Sequence, residues 1–563
     1  MKADLQARCL AAGLVLVAVL LAASGGLQGA WLHSEGGWLA SLRLAAPTLA
    51  GLGLLLAIGW HPSLRPAFKE PNFLLGLGAV TALLILAGLA FFENSTLVEG
   101  RRWFWLEDDA MVSMQYAWRL VHGQGLTWTD GPRVEGYSNF LWTLAMAGVH
   151  LAGAGRESAS AWILALNGLC LLWLGLATAR LARALGASRL AAALAALACL
   201  LSFDQLAAAL SGLEAVAVSA VCAEVLARIA EARRAGRPAS WGAFALAGLL
   251  PLLRADGALP AGLLCLLALH RERRLRPWAL GLGLAFVPGL LHLAFRLSYY
   301  GAWVPNTAVL KSGSWPGKYQ WGAWKTAMAL GRYPLVSLGL LTALWQRGRA
   351  PWLAYGAVLA LYTVWTGYDY YPFHRFFAAV WPLFFALGFA AAETALQRFA
   401  WRDVALGALL LVSWNAAFTL PFISNSGWDQ GQERLRLALA LPKLVKPGDK
   451  VASCWAGAFY YYSGVQGVDL LGKCDAVVAQ AAPDGRNPYP GHNKLDLEHS
   501  LGRLQPAWVL MELPPYSEKD KAYVLADYDM RIITHPLFVQ HCYAGGKQVA
   551  PHWALYPCAW APR

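Results

Sequence analysis

The stretch GYSNFLWTLAMAGVHLAG, Gly136–Gly153, decides how this chain is threaded. It is apolar enough to be taken for a bilayer crossing, which needs roughly 20 such residues. Yet it is short, and Arg156 and Glu157 follow at once. Its side chains also sort by helical period: Phe140, Leu144, Ala147 and Leu151 fall on one face, and Asn139, Thr143 and His150 on another. That pattern predicts an amphipathic helix lying along a membrane surface. Read as a crossing, it would invert every segment that follows.

The rest of the chain supplies the membrane. Of 563 residues, 58% are hydrophobic and only 14% charged, where a soluble protein carries about 25% charged residues. Apolar length predicts a polytopic α-helical membrane protein, with spans near residues 9–24, 44–60, 73–92, 159–181, 190–209, 213–230, 241–254, 257–270, 278–299, 333–346, 351–366, 376–394 and 404–423, about thirteen in all. The first run, preceded by Lys2 and Arg8, is read as a retained anchor. Arginines cluster between Arg180 and Arg189, Arg228 and Arg237, Arg271 and Arg276, at Arg347 and Arg349, and at Arg398 and Arg402. With a cytoplasmic N-terminus, this threading puts every cluster on the cytoplasmic side. The net charge of +13 is then explained by loop arginines and gives no reason to expect a nucleic-acid partner.

The same threading places LEDDAMVSMQYAWRL, Leu106–Leu120, outside. Three successive carboxylates, Glu107, Asp108 and Asp109, open a helix whose N-terminus favours negative charge. Met111, Met114, Trp118 and Val121 form its apolar stripe. Two surface helices are therefore expected near 108–153. Everything after about residue 425 is also outside. There DKVASCWAG, GVDLLG, PAWVLMEL and MRIITH read as strands, and DLEHSLGRL and SEKDKAYVLADY as helices, a small soluble α/β domain without a glycine-rich nucleotide fingerprint. Five cysteines lie in apolar runs. Cys454, Cys474, Cys542 and Cys558 lie in the tail, where an oxidising compartment favours disulfides, the local pairing being 454–474 and 542–558.

Several outer turns carry polar residues that the threading does not require. The first loop has Glu107, Asp108, Asp109, Arg133, Glu135, Tyr137 and Asn139; later turns add Glu214, Arg254, Asp256, Asn306, Lys311, Asp369, His374 and Arg375. Each has a plain structural reading, as a helix cap, an interfacial anchor or a snorkelling cation. Their convergence on one side points instead to a site, since ionisable groups at membrane depth are costly. The cations suit a phosphate, and the carboxylates suit a proton acceptor or a divalent cation, calcium or magnesium, held by Asp108 and Asp109 with Glu107. In the tail, His492 and Lys494 of GHNK are candidates for acceptor binding, against a solvated-loop alternative.

The run DDAMVSMQYAWRLVHGQGLTW followed by RVEGYSNFLWTLAMA resembles the first outer loop of GT-C fold membrane glycosyltransferases, most of all the mycobacterial terminal arabinofuranosyltransferase family and its bacterial relatives. SGLEA, LLRADG, VPNTAVLK, GYDYYPFHRF, YYYSGVQGVDLLGKCD and YPGHNK follow in order, so the resemblance covers about residues 73–500. It implies three parts: two additional N-terminal spans in 1–72, a GT-C catalytic membrane domain in 73–425, and a periplasmic α/β domain in 426–563. It also implies a bacterial inner-membrane enzyme that moves a sugar, D-arabinofuranose, from a polyprenyl-phosphate donor to a cell-envelope glycan, lipopolysaccharide or pilin-like acceptor. Carried over, Asp108 or Asp109 acts at the reaction centre. Arg254, Lys311, His374 and Arg375 are the positions available to hold the lipid phosphate. Glu107, Glu135, Tyr137, Asn139, Glu214, Asn306 and Asp369 are the remaining candidates for substrate binding. Gln115 and Ala255 stand where the family often has arginine and proline. A hexosyl donor, or a transporter or assembly subunit for a lipid-linked sugar, are the alternatives.

Overall fold

A computed structural model describes residues 70–560 apart from 271–274, 370, 372, 398, 400–428, 485–489 and 514–527. The expected spans 9–24, 44–60 and 404–423 lie outside the described residues, as does most of the expected helix in SEKDKAYVLADY.

Three described helices are long and apolar enough to cross a membrane: Pro71–Phe92, Ala159–Ala184 and Trp278–Tyr300. A pair of shorter helices, Arg189–Leu200 and Phe203–Ser211, is long and apolar enough only when taken together, and is bent by 45°. The bend has a local cause. Ser202 turns its hydroxyl onto the Gln205 N–H and starts a new helix, as a serine N-cap does. Gly212, at φ 75°, ends it. The apolar runs at 241–254 and 257–270 form shorter helices, Trp241–Ala247, Leu250–Leu253 and Ala258–Leu269. Those at 351–366 and 376–394 form Ala350–Thr366 and Trp381–Leu396. The run at 333–346 starts well before its apolar part: helix Lys318–Gly331 leads into Pro334–Ala343, with a break at the proline. Lys318 and Lys325 lower the hydropathy of that first half and conceal it in sequence.

The helices give the membrane half two chemically distinct ends. At one, Arg180 bridges Glu224 and Glu231, Arg228 pairs with Glu224, and Glu393 accepts the Ser188 N–H. At the other lie the first loop and the turns at 214, 254, 306 and 369–375. In the first loop, Ser95–Val98 (β1) and Arg101–Phe104 (β2) make an antiparallel hairpin that apolar patterning does not announce. Its turn residues Glu99 and Gly100 both have positive φ, the conformation of a tight two-residue hairpin turn. Helices Asp108–Val121 and Phe140–Leu151 follow. In the second, Thr143 and His150 are buried while Leu144 and Leu151 point outward. The polar face meets protein, whereas the expected apolar face is only partly free: Leu144 and Leu151 are exposed, but Ala147 is buried and Phe140 stacks on His292.

The tail carries a five-stranded sheet, Lys450–Ser453 (β3), Gln466–Asp469 (β4), Trp508–Glu512 (β5), Lys547–Ala550 (β6) and Trp553–Pro557 (β7), in the order β4-β3-β5-β7-β6. The first three strands run parallel, and β7 and β6 are antiparallel additions. MRIITH, expected as a strand, lies in and just after helix Tyr528–Ile533, and the sheet is instead extended beyond β5 by β7 and then β6, the edge strand. Period-two alternation divides the sheet. Ala452, Val509 and Met511 face one apolar cluster with Ile532 and Phe538. Val451, Leu510 and Leu555 face the other cluster, which is continuous with the core of the membrane half. One face of the tail sheet is therefore buried against the membrane half. This also explains the cysteines. Cys542 and Cys558 are joined, but Cys454 and Cys474 are not disulfide-bonded, contrary to the expected 454–474 pair. They sit in the two different clusters.

Candidate functional site

Asp108 and Asp109 begin one helix but serve different partners. The buried Asp108 carboxylate accepts the N–H groups of Gly457 and Ala458 at 3.1 and 2.9 Å, and so caps the tail helix Ala458–Ser463. Asp109 turns to a cluster of cations. Its Oδ2 lies 3.3 Å from Arg375 Nη2, and its Oδ1 is paired with Lys473 Nζ. Burial alone would raise the Asp109 carboxyl, but the charges of Lys473, Arg375 and Lys311 outweigh it and hold it well below the usual carboxylate range.

Arg375 is the hub. Its guanidinium is bidentate on Asp369, with Nη2 to Oδ1 at 3.1 Å, and lies over the Tyr371 ring at 4.5 Å. Lys311 Nζ is 4.0 Å from Asp369. Burial, then the neighbouring Arg375, pushes the Lys311 ammonium down. Arg254 supports this hub from behind. It is bidentate on Asp256 at 3.0 Å and donates to the Arg375 carbonyl at 3.1 Å. Glu214 lies 3.7 Å from Arg254 and accepts from Asn139, which in turn accepts from Ser113 and Thr143. Glu214 and Asn139 thus tie the first loop to the Arg254 turn.

The tail reaches the same place. Asp469, at the end of β4, accepts the N–H groups of Leu471, Gly472 and Cys474. Asn306 donates to the carbonyls of Gly472, Lys473 and Asp475 at 2.8, 2.9 and 3.2 Å. This doubly held turn presents Lys473 to Asp109. His492 sits at the rim of the cluster, where burial, assisted by the Lys473 charge, pushes its imidazole down to about 4.

Other candidates have structural partners instead. Glu135 is bidentate on Arg296 and 3.9 Å from His292. The Tyr137 hydroxyl is 3.1 Å from that of Tyr300. Lys494 clips Val309 O and Ala479 O at 2.9 and 2.7 Å, which joins two loops. His374 is turned away from the cluster. Its main-chain N–H donates to Asp204 at 2.7 Å, its ring nitrogens are buried and unpartnered, and burial pushes the ring down to about 4. The three successive carboxylates do not converge as a metal site. Asp108 is committed to backbone amides and Asp109 to two cations. Burial raises the Glu107 carboxyl, with the tail's Arg434 opposing it. Among the described residues no group of three His, Cys, Asp or Glu is placed to hold a metal ion.

Sequence reading passed over Lys473, Asp204 and Arg296. Lys473 is a lone cation in an apolar stretch beside a strand end, VDLLGKCD, and lies within the motif YYYSGVQGVDLLGKCD that carries part of the resemblance; neither signal singled it out. Asp204 is buried at a helix start, where it accepts from Tyr333 at 2.6 Å and anchors the His374 backbone.

No family model matches the chain, and no curated protein matches it in sequence. Solved structures match it in shape. ArnT from Cupriavidus metallidurans, bound to undecaprenyl phosphate, superposes at TM-score 0.53 over 87% of this chain and 99% of that one, with 14% identity. The Archaeoglobus fulgidus oligosaccharyltransferase in its apo form does so at 0.52 over 87% of this chain and 73% of that one, with 12% identity. Likeness to the mycobacterial arabinofuranosyltransferase AftD is weaker, at TM-score 0.49 over 86% of this chain and 40% of that one with 16% identity, and does not bear on the sugar. At these identities the likeness establishes architecture: the chain is a polytopic membrane protein of the GT-C fold.

Proposed function

We propose that this protein is a membrane glycosyltransferase that moves a sugar from a polyprenyl-phosphate donor to a cell-envelope acceptor. The carrying observation is the Asp109–Arg375–Asp369–Lys311 cluster, at the helix ends opposite the arginine clusters. The reaction asks for those groups. The acceptor hydroxyl must lose a proton, which a carboxylate can take. The departing phosphate must carry a second negative charge, which fixed cations stabilise. Asp109 is the base. Arg375 and Lys311 hold the phosphate, with Arg254 behind Arg375. Asp108 docks the tail. The lipid phosphate in the ArnT structure supports this donor class. D-arabinofuranose is the sugar that the first-loop motifs favour. The resemblance favours a bacterial inner membrane, and the charge rule turns the site and the α/β tail of this thirteen-span chain towards the periplasm.

The test uses purified full-length protein, synthetic polyprenyl-phosphoryl arabinofuranose and cell-envelope extract, with release of polyprenyl phosphate as readout. Release by the native chain that is lost in a folded Asp109→Asn variant supports the reading. Release only from a mannosyl donor moves it to hexosyl transfer. No release from either donor sinks it.

A further inference from the structure

We infer that Lys473, supplied by the soluble tail, is a catalytic residue of this transfer: with Arg375 it neutralises Asp109 before the donor arrives and passes to the phosphate when the donor binds. The inference rests on the transferase reading and goes beyond it, because it makes the tail half of the active site.

Three observations carry it. First, Lys473 Nζ is in direct contact with Asp109 and lies within the same charge cluster as Arg375. Second, Lys473 is not a stray surface cation. Its side chain is 15% exposed, and its turn is held by Asp469 from the tail and by Asn306 from the membrane half. That degree of fixing for one ammonium group is characteristic of preorganised electrostatic sites. Third, the arrangement is unsuited to proton abstraction as it stands, since a carboxylate between two cations is a weak base. An incoming phosphodiester, with the same single charge, competes with Asp109 for those cations, and they pass fully to it as its second charge develops, which frees Asp109 at the moment the acceptor needs it.

The step balances as follows. The acceptor oxygen bonds to the anomeric carbon while its proton moves to a freed Asp109 oxygen. The bond from the anomeric carbon to the phosphate oxygen breaks, and its electron pair stays on that oxygen. The donor's singly charged phosphodiester becomes a doubly charged polyprenyl phosphate, and Lys473 and Arg375 face the new charge. Departure of the product returns both cations to Asp109, which releases its proton to solvent.

The experiment compares full-length native protein with Lys473→Met, Lys473→Arg and Asn306→Ala. It measures kcat and KM with the synthetic donor and, separately, affinity for polyprenyl phosphate alone. Lys473→Met should lower kcat by about 100-fold, the size of losing one preorganised charge donor, and weaken polyprenyl phosphate about tenfold. Lys473→Arg should recover most of both. Asn306→Ala, which keeps the lysine but frees its turn, should lower kcat in a protein that still folds, with a modest fall in melting temperature from the carbonyls left without a donor. A folded Lys473→Met with kcat, KM and lipid affinity within about twofold of native overturns the inference and leaves the transferase reading intact. Equal damage by Lys473→Arg and Lys473→Met also overturns it, by showing a packing role. Should Lys473→Met not fold, Asn306→Ala decides: native kcat there sinks the proposal. If the native chain transfers no sugar, the transferase reading falls by itself. The lipid-affinity arm then still tells whether Lys473 meets a phosphate.

Discussion

Asp108 and Asp109 differ by one position, about 100° around a helix, and that rotation separates their roles. Asp109→Asn should cut transfer by roughly 100- to 10,000-fold, the usual worth of a general base. Asp108→Ala should act on stability. It leaves two buried N–H groups without an acceptor, a loss of about 1–3 kcal/mol, read as a lower melting temperature with catalysis only partly reduced. The pH response follows from the direction of the Asp109 shift. Its folded value is depressed, so its contribution to stability is complete above the unfolded carboxylate value of about 3.9 and fades as the pH falls below it. The melting difference between native protein and Asp109→Asn should stay flat from neutrality to about pH 5 and shrink below about pH 4. In sequence the two aspartates are indistinguishable. What separates them is a tail backbone hundreds of residues away, and no local pattern reports that.

The helical elements were the legible part. Apolar runs announce membrane helices because lipid demands length and composition together, and the polar face of Phe140–Leu151, buried at Thr143 and His150, was readable from its period. Lys318–Gly331 was not, because its lysines break the apolar run. Helix Tyr528–Ile533 was misread because the Met530–Ile532 spacing and the β-branched Ile533 and Thr534 fit a short strand equally well. The joint between halves is sensitive at an element boundary. A Cβ on Gly457 would run into the Asp108 main-chain oxygen, and backbone cannot step aside as a flexible side chain can. Gly457→Ala should therefore loosen the tail without touching the cations. Limited proteolysis checks this: the fragment beginning near residue 429 should be released faster than from native protein.

On the scale of the whole molecule, the membrane half and the tail share one apolar core and one charge cluster. The Cys542–Cys558 bond closes a 16-residue separation within the tail's own apolar cluster. Replacing both cysteines by serine should lower tail stability by about 3 kcal/mol and leave transfer at moderate temperature unchanged, measured by chemical denaturation and the same release assay. Alkylation of the denatured, unreduced protein should label Cys454 and Cys474 but neither Cys542 nor Cys558. The membrane side of the site was visible in sequence as polar residues in places that hydropathy leaves apolar. The tail side was visible only as motifs, which do not tell that the fold brings Lys473, rather than His492 or Lys494, to a carboxylate.

That distance has a consequence in time. Lys473 follows Asp109 by 364 residues. At about 5–20 residues per second, a ribosome reaches it roughly 20–70 s after the aspartate. Throughout that interval the first loop is already inserted, with its carboxylates lacking their tail partners. A nascent chain can thus hold its place in the membrane while still inert, and becomes competent only when its last domain has been delivered and has closed onto the first loop.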